Sequence, residues 1–161
     1  MPTARPQKRA FERRRHFRYS NGRMTTEFLV EAAVPSEREA ALMTLEPRNP
    51  FCTNSYVEAM RAAGAQAWLL GTTRDGRLVS GCYGYLTAAR LNRVLRIPSV
   101  PHMAPDDAFW DGLLRFCASH GVTCLELNSL ASPAVRIPLL PGEVERQDRC
   151  EYVLDIGDAE W

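Results

Sequence analysis

The chain has 161 residues, enough for one domain of ordinary size with a buried core. Hydrophobic residues make up 45% of it and charged residues 24%, which is typical of globular proteins and excludes wholesale disorder. No run of about 18 consecutive apolar residues occurs, so the sequence predicts no membrane span.

The net charge of +1 conceals an asymmetry along the chain. Residues 1–23 contain eight Arg or Lys and one acidic residue, a net +7 that leaves −6 for residues 24–161. We therefore expect a basic, disordered arm over 1–23 and one domain over 24–161. Three interpretations of the arm stay open: a tail that binds RNA or a membrane surface, an Arg-rich transit peptide, or an artefact of start-site choice with Met24 as initiator. It lacks the apolar core of a secretory signal.

The cysteines are five in number and scattered, without a C-x-x-C pair: Cys52, Cys82, Cys117, Cys124 and Cys150. An odd, unpaired set argues against a disulfide framework and a zinc site. Four of them lie in or beside apolar segments, where a free cysteine behaves as a small hydrophobe. We therefore expect a reducing compartment and a cytoplasmic protein.

In chain order, FLVEAAV is predicted to be a strand that ends at Pro35. SEREAALM follows as a short helix with capping-box spacing, and LEPRNPF, with its two prolines, is predicted to be a loop. The segment TNSYVEAMRAAG has the apolar spacing of a helix that is capped by Thr53 or Ser55 and ends at Gly64.

A β-hairpin is predicted next, from the strands QAWLLGTT and RLVSGCYGYLTA. Asp75-Gly76 joins them, as expected for a turn whose two central residues need positive φ. VLRIPSV is a third strand, after which Pro98, Pro101 and Pro105 interrupt the backbone.

The clearest helix is DDAFWDGLLRFCASHG, which begins at Asp106 or Asp107 and ends at Gly121. Its predicted core stripe is Phe109, Trp110, Leu113, Leu114 and Cys117. VTCLELNSL and RCEYVLDI are then predicted strands. This order predicts an α/β (α+β) domain with a mixed, mostly antiparallel sheet and helices on both faces.

Glycines at 76, 81 and 84 raise the question of a phosphate-binding loop. Gly81 is followed by Cys82 and Tyr83, not by the Lys and hydroxyl residue of a P-loop, and no helix follows. Glycines inside a strand mark a bulge or a close approach of the backbone more often than a phosphate site. The pattern therefore favours a hairpin.

Other motifs are more simply structural than catalytic. His102 and His120 have no second ligand at metal-binding spacing, so no metal site is predicted. Cys82 is interpreted as a packing residue rather than a nucleophile. Tyr83 and Tyr85 share a strand face with Gly81 and are interpreted either as core residues or as the floor of a groove.

The run from Pro50 to Ser132 resembles the Gcn5-related N-acetyltransferase (GNAT) superfamily, and more narrowly the first half of the FemAB-like aminoacyltransferases. The matching stretches are NPFCTNSYVEAMRAAGAQAWLLGTTRDGRLVSGCYGYL, LRIPSVPHMAPDD and FWDGLLRFCASHGVTCLELNS. The resemblance implies a single acyltransferase-like domain that transfers an acyl or aminoacyl group to an amine, in whole or in part. It also implies that the chain is incomplete alone, with a second such domain or a second copy as partner.

The same resemblance sets the cofactor expectation. Superfamily members that use acyl-coenzyme A carry a glycine-rich pyrophosphate loop between the long strand and the next helix, where this chain has IPSVPHMAPDD, without glycine. We therefore expect no coenzyme A bound in the standard way. No catalytic residue is predicted.

The groove that the resemblance implies would bind an amine-bearing small molecule or cell-wall precursor through Tyr83, Tyr85, Ser99, His102 and Asn128. A non-catalytic acyltransferase-like interaction module that dimerises or pairs with a second domain is the alternative. Nucleic acid is expected only through the basic arm.

Overall fold

The computed structural model describes residues 17–19, 26–32, 36–89, 91–103, 105–132 and 134–147. The elements in chain order are β1 Phe17–Tyr19, β2 Thr26–Glu31, α1 Ser36–Leu45, a 3-10 helix η1 Pro50–Cys52, α2 Asn54–Ala62, β3 Gln66–Arg74, β4 Arg77–Ala88, β5 Arg93–Ile97, α3 Asp107–Ser119 and β6 Cys124–Leu127. None of the helices in these ranges is long and apolar enough to cross a lipid bilayer.

The strands form one sheet in sequence order, β1-β2-β3-β4-β5-β6. Neighbours are antiparallel except β5 and β6, which are parallel and are connected through α3. Parallel strands need such a crossover because a tight turn reverses the chain direction. The predicted mixed, mostly antiparallel sheet is therefore confirmed.

Two apolar layers cover opposite faces of the sheet. The first packs α3 on the sheet and includes Phe28, Leu70, Leu86, Leu95, Ile97, Phe109, Leu113 and Phe116. The second packs α1, η1 and α2 on the other face and includes Leu29, Leu42, Cys52, Val57, Leu69, Tyr83 and Tyr85. Helices on both faces, as predicted, are therefore confirmed.

The turn between β3 and β4 follows the sequence prediction. Asp75 and Gly76 have φ values of 50° and 76°, the positive pair that this hairpin turn requires. A bulge lies close to the turn, since the register shifts between Thr72 and Thr73. Gly84 marks a close approach instead, because a Cβ there would stand 2.7 Å from Leu70 Cδ1.

The predicted helix ends are confirmed. Thr53 caps α2 by accepting the Tyr56 N–H, and Gly64 follows the helix with φ 88°. Asp106 caps α3 by accepting the Phe109 N–H at 3.0 Å. Gly121, with φ 61°, follows that helix.

Three details differ from the sequence predictions. The segment LEPRNPF is not all loop, because α1 extends to Leu45 and Asn49 caps η1 by accepting the Phe51 N–H. On α3, Phe116 is buried and Leu114 only half-buried, since Phe116 turns toward the Trp68 ring, 5.2 Å away. Strand β1 lies inside the predicted basic arm, so sheet pairing begins before residue 24. The predicted strand RCEYVLDI lies outside the described residues.

Candidate functional site

The two tyrosines of the predicted site lie in the layer between the sheet and η1 with α2. Both are buried, and the Tyr85 hydroxyl donates a hydrogen bond to the Phe51 carbonyl at 3.0 Å. The ring of Tyr85 also packs edge-on against Tyr56, with centroids 5.5 Å apart. Burial raises the pKa of Tyr83 to about 12 and also raises the pKa of Tyr85. Both phenols are therefore neutral and suited to donate hydrogen bonds.

Ser99 is buried two residues after the end of β5. Its hydroxyl donates to the Val100 carbonyl at 3.3 Å, and its oxygen accepts the Ala131 N–H at 3.0 Å. Ser132 stands 3.3 Å from the same oxygen and donates to the Val100 carbonyl at 2.8 Å. Ser99 thus joins β5 to the segment that follows β6.

The other two predicted residues, His102 and Asn128, are exposed. Within the part of the chain that the structure describes, no hydrogen bond or ring contact joins the tyrosine pair to Ser99, His102 or Asn128. The fold therefore gathers the five residues around the β4–β5–β6 region without forming one cluster, and their binding role stays a prediction.

Two backbone donors of the junction between β5 and α3 are engaged within the chain. The Val100 N–H donates to the Asn128 carbonyl at 2.8 Å, and the His102 N–H donates to the Glu46 carboxylate at 2.5 Å. Pro98 and Pro101 carry no N–H. A phosphate cradle needs several backbone N–H groups that point outward, and these four positions contribute none, while the expectation about coenzyme A stays a prediction.

Glu46 is a buried carboxylate that sequence reasoning missed. It is 3% exposed, immediately after α1. Burial raises its pKa, while hydrogen bonds from the His102 backbone and the Asn49 side chain partly offset that rise. A glutamate at the end of a helix carries no sequence signal of burial, because the partner that buries it is distant in the chain.

The second apolar layer stops at β4 and leaves one face of β5 and β6 uncovered by the described residues. A polar row continues across that face in register, from Tyr85 to Arg96 on β5 and Glu126 on β6. The Arg96 Nε lies 2.6 Å from Glu126 Oε2, and the two side chains are 52% and 43% exposed. Asn128, which is exposed, follows Glu126 by two positions and lies just past the end of β6.

Arg96 and Glu126 were not in the predicted set, although the sequence holds a signal for them. Each interrupts an apolar strand, as L-R-I and L-E-L, and a charged residue between two buried neighbours must point to the other face. What no local pattern shows is that this other face is uncovered.

The buried cysteines do not offer a nucleophile. Burial raises the pKa of Cys52 to about 12 and that of Cys117 to about 11, and it also raises the pKa of Cys82. The thiolate, which is the reactive form, is thus suppressed at all three. Cys82 is a packing residue, whereas Cys124 is exposed on the uncovered face.

Metal ligands and cavities are the remaining features of the described ranges that bear on a site. No group of three or more His, Cys, Asp or Glu side chains there is placed to hold a metal ion. A cavity of about 390 Å³ opens at the start of β3, where Ala67 pairs with Tyr85 on β4, and is lined by Ala32, Arg61, Ala65, Gln66, Ala67 and Trp68.

Comparison with known proteins gives one structural likeness. Ribosomal-protein-alanine N-acetyltransferase from Brucella melitensis biovar Abortus 2308 matches with 16% sequence identity and a TM-score of 0.47, over 76% of this chain and 99% of that protein. Similarity at this level assigns neither a family nor an activity to the chain. No protein-family model matches the sequence, and no curated protein matches it.

Proposed function

We propose that the chain is an acyl- or aminoacyl-transferase-like domain of GNAT type, and more narrowly of FemAB type, that acts on an amine acceptor. The supporting observation is the uncovered face of β5 and β6, where the row Tyr85–Arg96–Glu126 passes from a covered to an exposed surface. The sequence resemblance, which implies such a domain, supports the same proposal.

The chemistry of this face fits a polar, amine-bearing acceptor. A Glu126 carboxylate accepts hydrogen bonds from an ammonium group, and the planar Arg96 guanidinium pairs with a carboxylate or phosphate. Asn128 adds an amide that can donate or accept. An acceptor with both charges would exchange the Arg96–Glu126 pair for two pairs of its own.

Coenzyme A is not part of the proposal. The junction that would have to bind its pyrophosphate contains no glycine, and the N–H groups of Val100 and His102 are already bonded within the chain. In acyl transfer an amine attacks an activated carbonyl, so a proton acceptor and an oxyanion donor are both needed. We propose that a second domain or a second copy completes this set.

The test is a thermal-shift and binding survey of the chain with acyl-coenzyme A compounds, aminoacyl-tRNA and amine-bearing cell-wall precursors. We expect binding of the amine-bearing acceptors, and a shift with acyl-coenzyme A alone would contradict the FemAB-type proposal. Arg96→Gln and Asn128→Ala should each weaken acceptor binding at least about tenfold, as expected for loss of a hydrogen bond to a charged group. Arg115→Gln, on α3 behind the sheet, is the matched control and should bind like the wild type.

A non-catalytic module that pairs with another domain or with its own copy is the second candidate. It is favoured by large apolar side chains that are almost fully exposed: Leu91, Leu139 and Val144. Such side chains mark an interaction site where they join into one contiguous patch. Sedimentation at rising protein concentration should then show self-association that Leu139→Glu weakens, and a monomer at high concentration would count against it.

A further inference from the structure

The buried carboxylate of Glu46 joins two segments that are far apart in the chain. Its Oε1 accepts the His102 N–H at 2.5 Å, and its Oε2 accepts the Asn49 side-chain amide at 3.4 Å. Asn49 belongs to the connection between α1 and α2, whereas His102 belongs to the junction between β5 and α3. With 3% of its surface exposed, Glu46 is held inside the protein by these contacts.

A buried carboxylate is costly unless hydrogen-bond donors replace the water it has lost. The His102 N–H and the Asn49 amide come from different segments and point at the same position, which the Glu46 carboxylate occupies. The titratable groups that interact electrostatically with Glu46 include His102 on the junction, Cys52 on η1 and Cys82 on β4. Both of these thiols are buried, and the hydrogen-bond donors to the Glu46 carboxylate come from His102 and Asn49.

Each segment continues from Glu46 to the predicted groove. Asn49 also accepts the Phe51 N–H at 3.1 Å, and the Phe51 carbonyl accepts the Tyr85 hydroxyl. On the other side, the junction is held to β4 by the Ser80 hydroxyl, which donates to the Met103 carbonyl at 3.4 Å. Glu46 thus links the segment that covers the tyrosines to the β5–α3 junction.

We propose that the His102 N–H and the Asn49 amide form a small carboxylate-binding pocket, which the chain fills with its own Glu46. This contact holds the α1–α2 connection and the β5–α3 junction against each other. Glu46 is then a positioning residue, and the role of the closed segments as the border of an acceptor groove rests on the proposed function. A small free carboxylate, such as formate or acetate, is the chemical class that fits the pocket when Glu46 is truncated.

The experiment compares Glu46→Ala with Glu46→Gln in the full chain, by thermal unfolding and by hydrogen exchange of residues 48–53 and 99–103. Glu46→Ala removes the acceptor of both the His102 N–H and the Asn49 amide and should lower Tm by roughly 4–10 °C. Exchange should rise at least about tenfold in both ranges together, because one contact holds both. Formate or acetate should recover at least about half of each change, and chloride at equal ionic strength should not.

Glu46→Gln is the matched control, because its amide oxygen still accepts the His102 N–H and its side chain still fills the pocket. It should show no response to formate. Exchange that rises in only one range, or recovery no greater than with chloride, overturns the proposal. If Glu46→Ala does not fold, Glu46→Asp answers the question, since its shorter carboxylate cannot reach both donors. Exchange should then rise in both ranges, and unchanged exchange overturns the proposal.

These readouts use neither an acyl donor nor an amine acceptor. A failed carboxylate rescue therefore leaves the proposed acyl-transfer function untouched. A failed substrate survey with the wild type likewise leaves the Glu46 pocket untouched.

Discussion

Gly112→Ala tests how closely α3 packs on β2. Alanine is favoured over glycine inside a helix by about 1 kcal/mol, so this substitution is usually stabilising at an exposed helical position. At Gly112, however, an added Cβ would stand 2.5 Å from the Cβ of Phe28 and would overlap the base of its ring. We therefore expect Gly112→Ala to destabilise the protein.

The magnitude follows from two opposing terms. Overpacking a core costs about 1–3 kcal/mol, and the cost should be near the upper end here because the base of the Phe28 side chain cannot swing away from its own strand. Subtracting the helical gain of about 1 kcal/mol leaves a net loss of about 1–2 kcal/mol. In a chain of this size that loss lowers Tm by about 2–8 °C.

The assay is urea unfolding followed by circular dichroism, with Asp111 as the matched position. Asp111 is exposed on the same helix next to Gly112, and both Asp111→Ala and Asp111→Gly remove its ion pair with Arg115. Asp111→Ala should be more stable than Asp111→Gly by up to about 1 kcal/mol. Alanine is thus expected to be more stable than glycine at position 111 and less stable than glycine at position 112. A stabilising Gly112→Ala would refute the close packing of α3 on Phe28.

Three further predictions concern the candidate site. Burial raises the pKa of Glu46 above 4.5, so the folded state is destabilised as pH rises above 4.5 and the carboxyl ionises. Glu46→Gln does not ionise, and urea titrations should therefore show its stability relative to wild type increasing across that interval. A constant difference from pH 4 to about 7.5 would contradict the raised pKa. Tyr85→Phe removes the hydrogen bond to the Phe51 carbonyl and should cost about 1 kcal/mol in chemical unfolding, and an unchanged midpoint would count against that bond. In a Cys150→Ser background, a thiol reagent should modify Cys124 in the native state and the three buried cysteines only after unfolding; fast labelling of all four would mean that the core is open.

Sequence reasoning predicted the fold where a few adjacent residues decide the backbone. Asp75-Gly76 forms a hairpin turn because both residues adopt positive φ, and Thr53 and Asp106 cap helices because each side chain reaches an N–H three residues ahead. The order of strands and helices followed from those local signals. A sheet with helices on both faces was then the arrangement that buries the apolar strands.

The candidate site was predicted less completely. Tyr83 and Tyr85 were placed on one strand face, which the period of two fixes, but their cover by η1 and α2 depends on packing. Arg96 and Glu126 were missed because a charged residue in a strand indicates only that one face is polar. Whether another layer covers that face is settled by where the helices pack.

The sequence by itself therefore determined the turns, the caps and the faces of the strands, since these depend on backbone geometry within a few residues. Only the tertiary structure decided which polar atoms meet. Glu46 and His102 are separated by 56 positions, and their hydrogen bond forms because the end of α1 and the β5–α3 junction reach the same edge of the core. Contacts of that kind depend on the packing of the whole domain, so no local pattern in the chain encodes them.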